Sequence, residues 1–527
     1  MPIRSIHLVG LILSPLLLAT LLGGVWLTHP LMLSLRNASY LSLIVFLFSL
    51  LVPSFRKSFR RALSSREVFE DLERNERKLV IALFTFFLIV YLKATALDYF
   101  TFKTNAIDTS MYDYALKNTL EGKFFYPVDG NYSHFGVHFT PTLLLLLPFV
   151  WIFHSPLFTL FLHPVVIAIS GLILYQQILK SAVPLALARL GILFSYFNCI
   201  WLGLILHFHF HAEVLYLPLT FLLVGAVRDR KGLLIILYSA LYLGVKEDAP
   251  FYLAGFYMAF SFKKWMGVRA AATGIMLSMV YAVLVLKLGI PAFKTGEYQL
   301  VPAVSEYGTS LSSIIQGVLR SLPEFLGGLT RGGWIKAASQ WLFLPGLDSF
   351  FVIAALPFVM IHNFAFGGSM RALHMHYSSP FIPLVYVGLA NSFQLLWNRF
   401  PKRRSRVLSV FTLGFLCSNL MGGGYLVFRR YESGWKVLSH INQQIPRDET
   451  VCIQPDALNH LNYHEASVEM YSDSCVSRSV KNLILQTELS SFNTQPEETR
   501  KRLAFITESG RYELKLNELG WYWYRLK

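Results

Sequence analysis

Long apolar stretches recur along this chain, separated by short polar or basic connections. They lie at the N-terminus and near 40–54, 79–97, 141–153, 157–179, 184–206, 212–227, 233–246, 249–262, 270–288, 347–361, 378–397 and 406–427. A helix of roughly 20 apolar residues crosses the hydrocarbon of a bilayer, and lipid cannot satisfy open backbone groups. The pattern therefore predicts an all-α polytopic membrane bundle of about 11–13 transmembrane helices. The N-terminal run is long and lacks a clear small-x-small cleavage site, so it reads as an uncleaved anchor. Residues 289–345 are mixed, with Gly, Pro and an amphipathic piece. From about 430 the chain turns polar: "ETVCIQ" reads as a strand and "PDALNHL" as the start of a helix, so a small soluble α/β domain is expected. The predicted division is a two-helix extension with a basic loop over 1–78, a transmembrane module over 79–428 with an external loop at 98–140, and a C-terminal domain over 429–527.

Composition strengthens this reading. Hydrophobic residues make up 54% of the chain and charged residues 15%, with a mean hydropathy of +0.47. Soluble domains carry about 25% charged residues. The net charge of +16 would suggest nucleic acid in a soluble protein. Here the Lys and Arg fall in short connections, which matches the positive-inside rule and a basic surface for anionic membrane lipids; no nucleic-acid partner is expected.

The basic clusters also orient the chain. "FRKSFRRALSSREVFEDLERNERK", "RDRK", "FKKW" and "NRFPKRRSR" are expected on the cytoplasmic side of the plasma (inner) membrane. The 98–140 loop, "HFHFHAE", "VKEDAP" and the C-terminal domain then share the other face. Simple alternation does not reach this parity. Either one segment between 141 and 206 fails to cross, or the loop hides a half-span; 289–345 needs a similar adjustment. Cys199 and Cys417 sit in apolar segments as small hydrophobes, whereas pairing of Cys452 with Cys475 is open, depending on the compartment. Asn37 and Asn131 match glycosylation triplets, which matter only in a eukaryotic secretory setting.

Several polar groups need explaining at the ends of apolar helices. Asp108 and Asp113 in the loop suit a general base or a metal ligand if held near a partly dry surface. His134 and His138 precede an apolar helix at a spacing that fits substrate contact or, on a helix, a metal. His207, His209, His211 and Glu213 alternate, so an extended backbone would put them on one face; His209, His211 and Glu213 are the candidate ligands of a divalent ion. Lys246, Glu247 and Asp248 lie between two strongly apolar stretches, where charge is expensive and points to function. A lysine there would neutralise a lipid phosphate while the acids hold a sugar or metal. "RALHMHYSSPFIP" adds Arg371, His374, His376 and Tyr377 before another span, with Arg and His suited to phosphate. No P-loop, dinucleotide glycine pattern or G-x-S-x-G elbow occurs.

Taken in order, "DTSMYDYALKNTLEGKFF", "SHFGVHFTPTLLLLLPFVWIF", "FHFHAEVLYLPL", "VKEDAPFYL" and "HMHYSSPFIPL" resemble a prokaryotic family of polytopic membrane proteins catalogued as domain of unknown function 2079, over about 85–480. The chain departs from it at Asp113-Tyr114, where the family usually has Asp-Gln, and at His209, where it usually has an Asp. That family is in turn similar to membrane glycosyltransferases of the GT-C architecture, which take sugar from a polyprenyl-phosphate or polyprenyl-diphosphate donor. The resemblance implies that the 79–97 span is the first helix of the conserved module and that Asp108 is the key acid of its first external loop, with Asp113 as the alternative.

The function expected is sugar transfer from a polyprenyl-phosphate-linked donor to an unknown acceptor at the extracytoplasmic face. Asp108 would be the base; Lys246, with Arg371 or His376, would hold the phosphate; Glu247, Asp248, His211 and Glu213 would shape the pocket or bind an ion. Two rivals remain: a transporter or flippase of a lipid-linked or anionic solute, and a non-enzymatic envelope assembly protein. No convincing internal repeat supports the first of these.

Overall fold

The computed structural model describes residues 66–128, 133–153, 155, 157–293, 307–308, 311–364, 368–422, 434–461, 468–489 and 495–527. The N-terminal anchor, the 40–54 run, Asn37 and Asn131 lie outside these residues.

The chain is an all-α membrane bundle carrying a small sheet at its C-terminus. Among the described residues, four helices are long and apolar enough to cross a bilayer: Phe69–Phe100, Leu157–Ala182, Ala186–Phe208 and Val268–Phe293. Ser369–Ser378 and Ile382–Arg399 form a fifth candidate, bent by 83° at its break. Four more apolar helices are shorter: Pro141–Phe153, Gly232–Leu243, Ala249–Phe262 and Ser349–Asn363. Twelve residues of helix, as in Gly232–Leu243, reach only about 18 Å. Hydropathy alone does not separate a full crossing from these shorter rods.

Salt links mark the two ends of the bundle. At one end Arg189 donates to Glu76 at 2.5 Å and to Glu73 at 2.7 Å. There too Lys263 meets Asp348 at 2.9 Å, and Asn391 bridges Asp348 to Arg228. The basic clusters around Arg228, Lys263 and Arg399–Arg406 therefore gather at one end. Asp98, His207, Lys246 and Glu213 lie at the other.

The parity problem resolves at two places. Pro141–Phe153 does not traverse the bundle: the Thr142 amide donates to the Gly244 carbonyl at 2.9 Å, and the rings of Phe149 and Phe153 stack on Phe158 at the start of the next helix. Leu145, Phe149, Trp151, Ile152 and Phe153 are exposed, as suits a short segment lying against lipid. Further on, Gly333 packs against the Ala372 carbonyl, while Asp348 sits at the basic end. Residues 333–348 thus run the length of the bundle as a broken path: the helix Gly333–Ser339, left-handed Leu342 and Phe343, then the turn Leu344–Leu347.

The C-terminal unit has strands β1 (Val451–Ile453), β2 (Val468–Met470), β3 (Asn482–Gln486), β4 (Tyr512–Glu518) and β5 (Trp521–Leu526), ordered β2-β1-β3-β5-β4. The β1 strand is parallel to β2 and β3, whereas β5 is antiparallel to β3 and β4. Side chains alternate across the sheet. Val451, Ile453 and Ile484 pack with Val437 and Ile441 of the helix Gly434–Gln444, while Cys452, Leu483 and Leu485 pack with Leu503 and Ile506 of Pro496–Glu508. Cys452 and Cys475 are disulfide-bonded. "PDALNH" forms a 3-10 turn rather than an α-helix. Phe102 and Tyr114 of the 98–140 loop share a core with this unit, so the loop and the sheet lie at the same end of the bundle.

Candidate functional site

The loop after the first long helix is not irregular throughout. Residues Ala106–Leu120 fold as a helix, and Asp108 lies in its first turn, where a negative charge is favoured by the helix dipole. The side chain of Asn105, the cap residue, donates to Asp108 Oδ2 at 2.7 Å. Burial pushes the Asp108 carboxyl above its ordinary pKa, opposed by that amide and by the charges of His138 and Lys246. Asp113, one turn on, is fully buried and accepts from the Thr159 hydroxyl on the bundle helix beneath. Burial raises its pKa well above the carboxylate range. The two acids of the loop thus face different partners, and only Asp108 is coupled to the charged cluster.

That cluster is assembled from four separate turns. Lys246 Nζ lies 2.5 Å from Glu213 Oε1. Burial works against the ammonium, but the carboxylates of Asp248 and Glu247 hold its pKa above the ordinary lysine value. Glu213 also meets His211 Nδ1, and His376 Nε2 stands 3.6 Å from it. The rings of His211 and His376 stack at 3.8 Å, and Tyr112 Oη lies 3.3 Å from His211 Nε2. His138 Nδ1 bonds Glu247 Oε1 at 2.8 Å, and the Phe139 amide donates to the same carboxylate at 3.2 Å. Burial disfavours the charge on Glu247, yet His138 and Lys246 hold its pKa down to about 2. His134 is buried against the Tyr112 and His138 rings, and burial lowers its pKa to about 3. The Tyr377 ring packs on His376 at 4.2 Å.

Other candidates are placed differently. Asp248 accepts from Tyr216 at 2.7 Å and Tyr252 at 3.0 Å, a second layer behind Lys246. Arg371 donates to the Asn363 carbonyl at 3.3 Å. His209 does not join His211 and Glu213. The helix Ile200–Phe208 ends one residue earlier, and His209 takes φ +67° and ψ −161°, a backbone region normally left to glycine. This turn sends His209 toward Asp98, 3.4 Å away, while His207 bonds Asp98 at 2.6 Å. His209 Nδ1 also accepts the Asn105 amide at 3.2 Å, tying the turn to the helix that carries Asp108.

Asp98 and Tyr112 were not singled out by sequence reasoning. The signal for Asp98 was available: a carboxylate inside the last turn of a long apolar helix is costly without a partner. Tyr112 carries no comparable mark.

Among the described residues, His211, Glu213 and His376 offer three ligand atoms within 4.8 Å of one another, all buried. Two imidazoles and a carboxylate suit zinc or a similar divalent ion. The Lys246 ammonium already neutralises the same carboxylate, so ion and lysine would compete for Glu213.

Comparison with known proteins places the chain. No curated protein matches the sequence. One solved structure similar to it is the Archaeoglobus fulgidus oligosaccharyltransferase in complex with Zn and sulfate, 12% identical, with a TM-score of 0.43 over 83% of this chain and 72% of that one. A likeness that distant carries no argument about the site. The sequence profile of the predicted membrane proteins DUF2079 matches residues 98–517, spanning the loop, the charged cluster and the C-terminal sheet. The chain belongs to that family of predicted membrane proteins, DUF2079.

Proposed function

We propose that this protein is a membrane glycosyltransferase of the GT-C kind, moving a sugar from a polyprenyl-phosphate-linked donor to an acceptor at the extracytoplasmic face. One observation carries this reading. A half-buried carboxylate, Asp108, feels the charge of a half-buried ammonium, Lys246, at the end of the bundle away from the basic clusters. That pairing supplies the two things sugar transfer from a lipid phosphate needs: a base for the acceptor hydroxyl and a cation for the leaving phosphate. Asp108, with its pKa raised by burial, is a better proton acceptor than an ordinary carboxylate. Lys246 would exchange its contact with Glu213 for the donor phosphate, and His376 and Tyr377 border the same place. The disulfide in the C-terminal unit and the basic clusters at the far end both favour an extracytoplasmic site.

Native mass spectrometry of the protein extracted in mild detergent tests this. A co-purified polyprenyl-phosphate sugar is expected, and Lys246→Gln should lose it. Retention of a lipid with no phosphate, or solute flux without sugar transfer, would favour a transporter or flippase.

A further inference from the structure

We infer that the C-terminal unit is part of the working site, because the buried Asn459 carboxamide positions the helix turn that carries Asp108. The role in transfer rests on the function proposed above; the positioning itself does not. Asn459 lies in the turn Pro455–His460, which follows directly from β1 at the carboxyl end of the parallel strands. Its Oδ1 accepts from the Ser110 hydroxyl, and its Nδ2 donates to Thr104 Oγ1 at 3.4 Å. Thr104 precedes the helix Ala106–Leu120 and Ser110 lies in its second turn, so one carboxamide spans the backbone on both sides of Asp108. Asn459, Ser110 and Thr104 are all buried, so these bonds have no ready replacement in water.

Neighbouring contacts make the hold stiff. The His460 ring stacks on Tyr99 at 4.0 Å and meets Phe102 at 4.4 Å. Phe102 in turn lies against Trp521 of β5 at 5.1 Å. Strand β1 is anchored on its other face by the Cys452–Cys475 disulfide. The first turn of the loop helix is therefore held from two sides. His209 takes the Asn105 amide from the bundle, and Asn459 takes Ser110 and Thr104 from the sheet. Asn459 touches no proposed reacting group, so it is a positioning residue.

The test is amide hydrogen exchange on the full-length protein in nanodiscs, comparing wild type with Asn459→Ala and Asn459→Asp. Asn459→Ala should speed exchange of the amides of 106–112 about tenfold, the scale of one lost buried hydrogen bond, with 157–208 unchanged. Asn459→Asp, which keeps the acceptor for Ser110, should recover part of the protection. If Asn459→Ala also loosens β3 and β5, Ser110→Ala, which leaves the sheet intact, decides by the same readout at 106–112. Unchanged protection there in Asn459→Ala, or in Ser110→Ala where that variant decides, overturns the inference. Where transfer is measurable, Asn459→Ala should lower kcat with the donor KM little changed. Loss of protection without sugar transfer in the wild type would leave the positioning standing and remove the glycosyltransferase reading instead.

Discussion

Replacing Lys246 by Met removes one partner of a buried ion pair and leaves its methylene stem in place. The Lys246 side chain is 12% exposed and that of Glu213 4%, with 2.5 Å between their charged atoms. Removing one member of such a pair costs about 3–5 kcal/mol, because the other charge stays buried without compensation. Here two imidazoles reduce that figure: His211 contacts Glu213, and His376 lies 3.6 Å from it. If either takes up a proton, part of the loss is recovered, so about 2–3 kcal/mol is expected for Lys246→Met. The double variant Lys246→Met/Glu213→Gln removes both charges and should be more stable than Lys246→Met alone by about 1 kcal/mol or more, the scale of one double-mutant coupling. Thermal unfolding in nanodiscs, read by tryptophan fluorescence, measures both. A Lys246→Met protein as stable as wild type, or a double variant whose losses simply add, would refute the idea that this pair is dry and coupled.

The other predictions follow from neighbouring groups. Glu247 is held at a pKa of about 2 in the folded chain, so its contribution to stability is present above the ordinary carboxylate range and is lost as pH falls toward 2. His138→Ala should flatten the stability–pH curve below about pH 4.5 relative to wild type; parallel curves in acid unfolding would contradict this. His209→Ala keeps a strained backbone and loses the ring contacts, whereas His209→Gly relieves the strain, so Gly should be more stable than Ala by about 1–3 kcal/mol in the same melts. If His211, Glu213 and His376 hold a divalent ion, added zinc should raise the melting temperature of the wild type more than that of His376→Ala; equal shifts would exclude this site.

The membrane bundle was legible because apolar runs of spanning length leave few alternatives. The place of Pro141–Phe153 was not, since its hydropathy matches that of a crossing helix. What sets it aside is tertiary: the Thr142 amide on Gly244 and three rings folded back at Phe149, Phe153 and Phe158. Lys246, Glu247, His138 and Glu213 were visible as costly charges at helix ends, and the structure brings them together from distant turns. His209 and His211 were expected to share a face on their two-residue spacing. The positive φ at His209 breaks that alternation and sends the two rings to Asp98 and Glu213 respectively. Arg371 is basic and near in sequence to His376, but its fold neighbour is the Asn363 carbonyl. Nothing in the pattern of the C-terminal region announced that Asn459 would meet Ser110, because that contact joins residues 349 positions apart.

Sugar transfer by the purified chain, with and without Asp108, tests the central claim most directly. The assay supplies a polyprenyl-phosphate sugar in liposomes and follows release of sugar from the lipid. Wild type should transfer, with a rate that rises with pH through a value above that of an ordinary aspartate, since the basic form of Asp108 is the active one. Asp108→Asn should fold normally and lose about two orders of magnitude or more in rate, the usual scale of a general base. Transfer at the wild-type rate by Asp108→Asn would contradict the account.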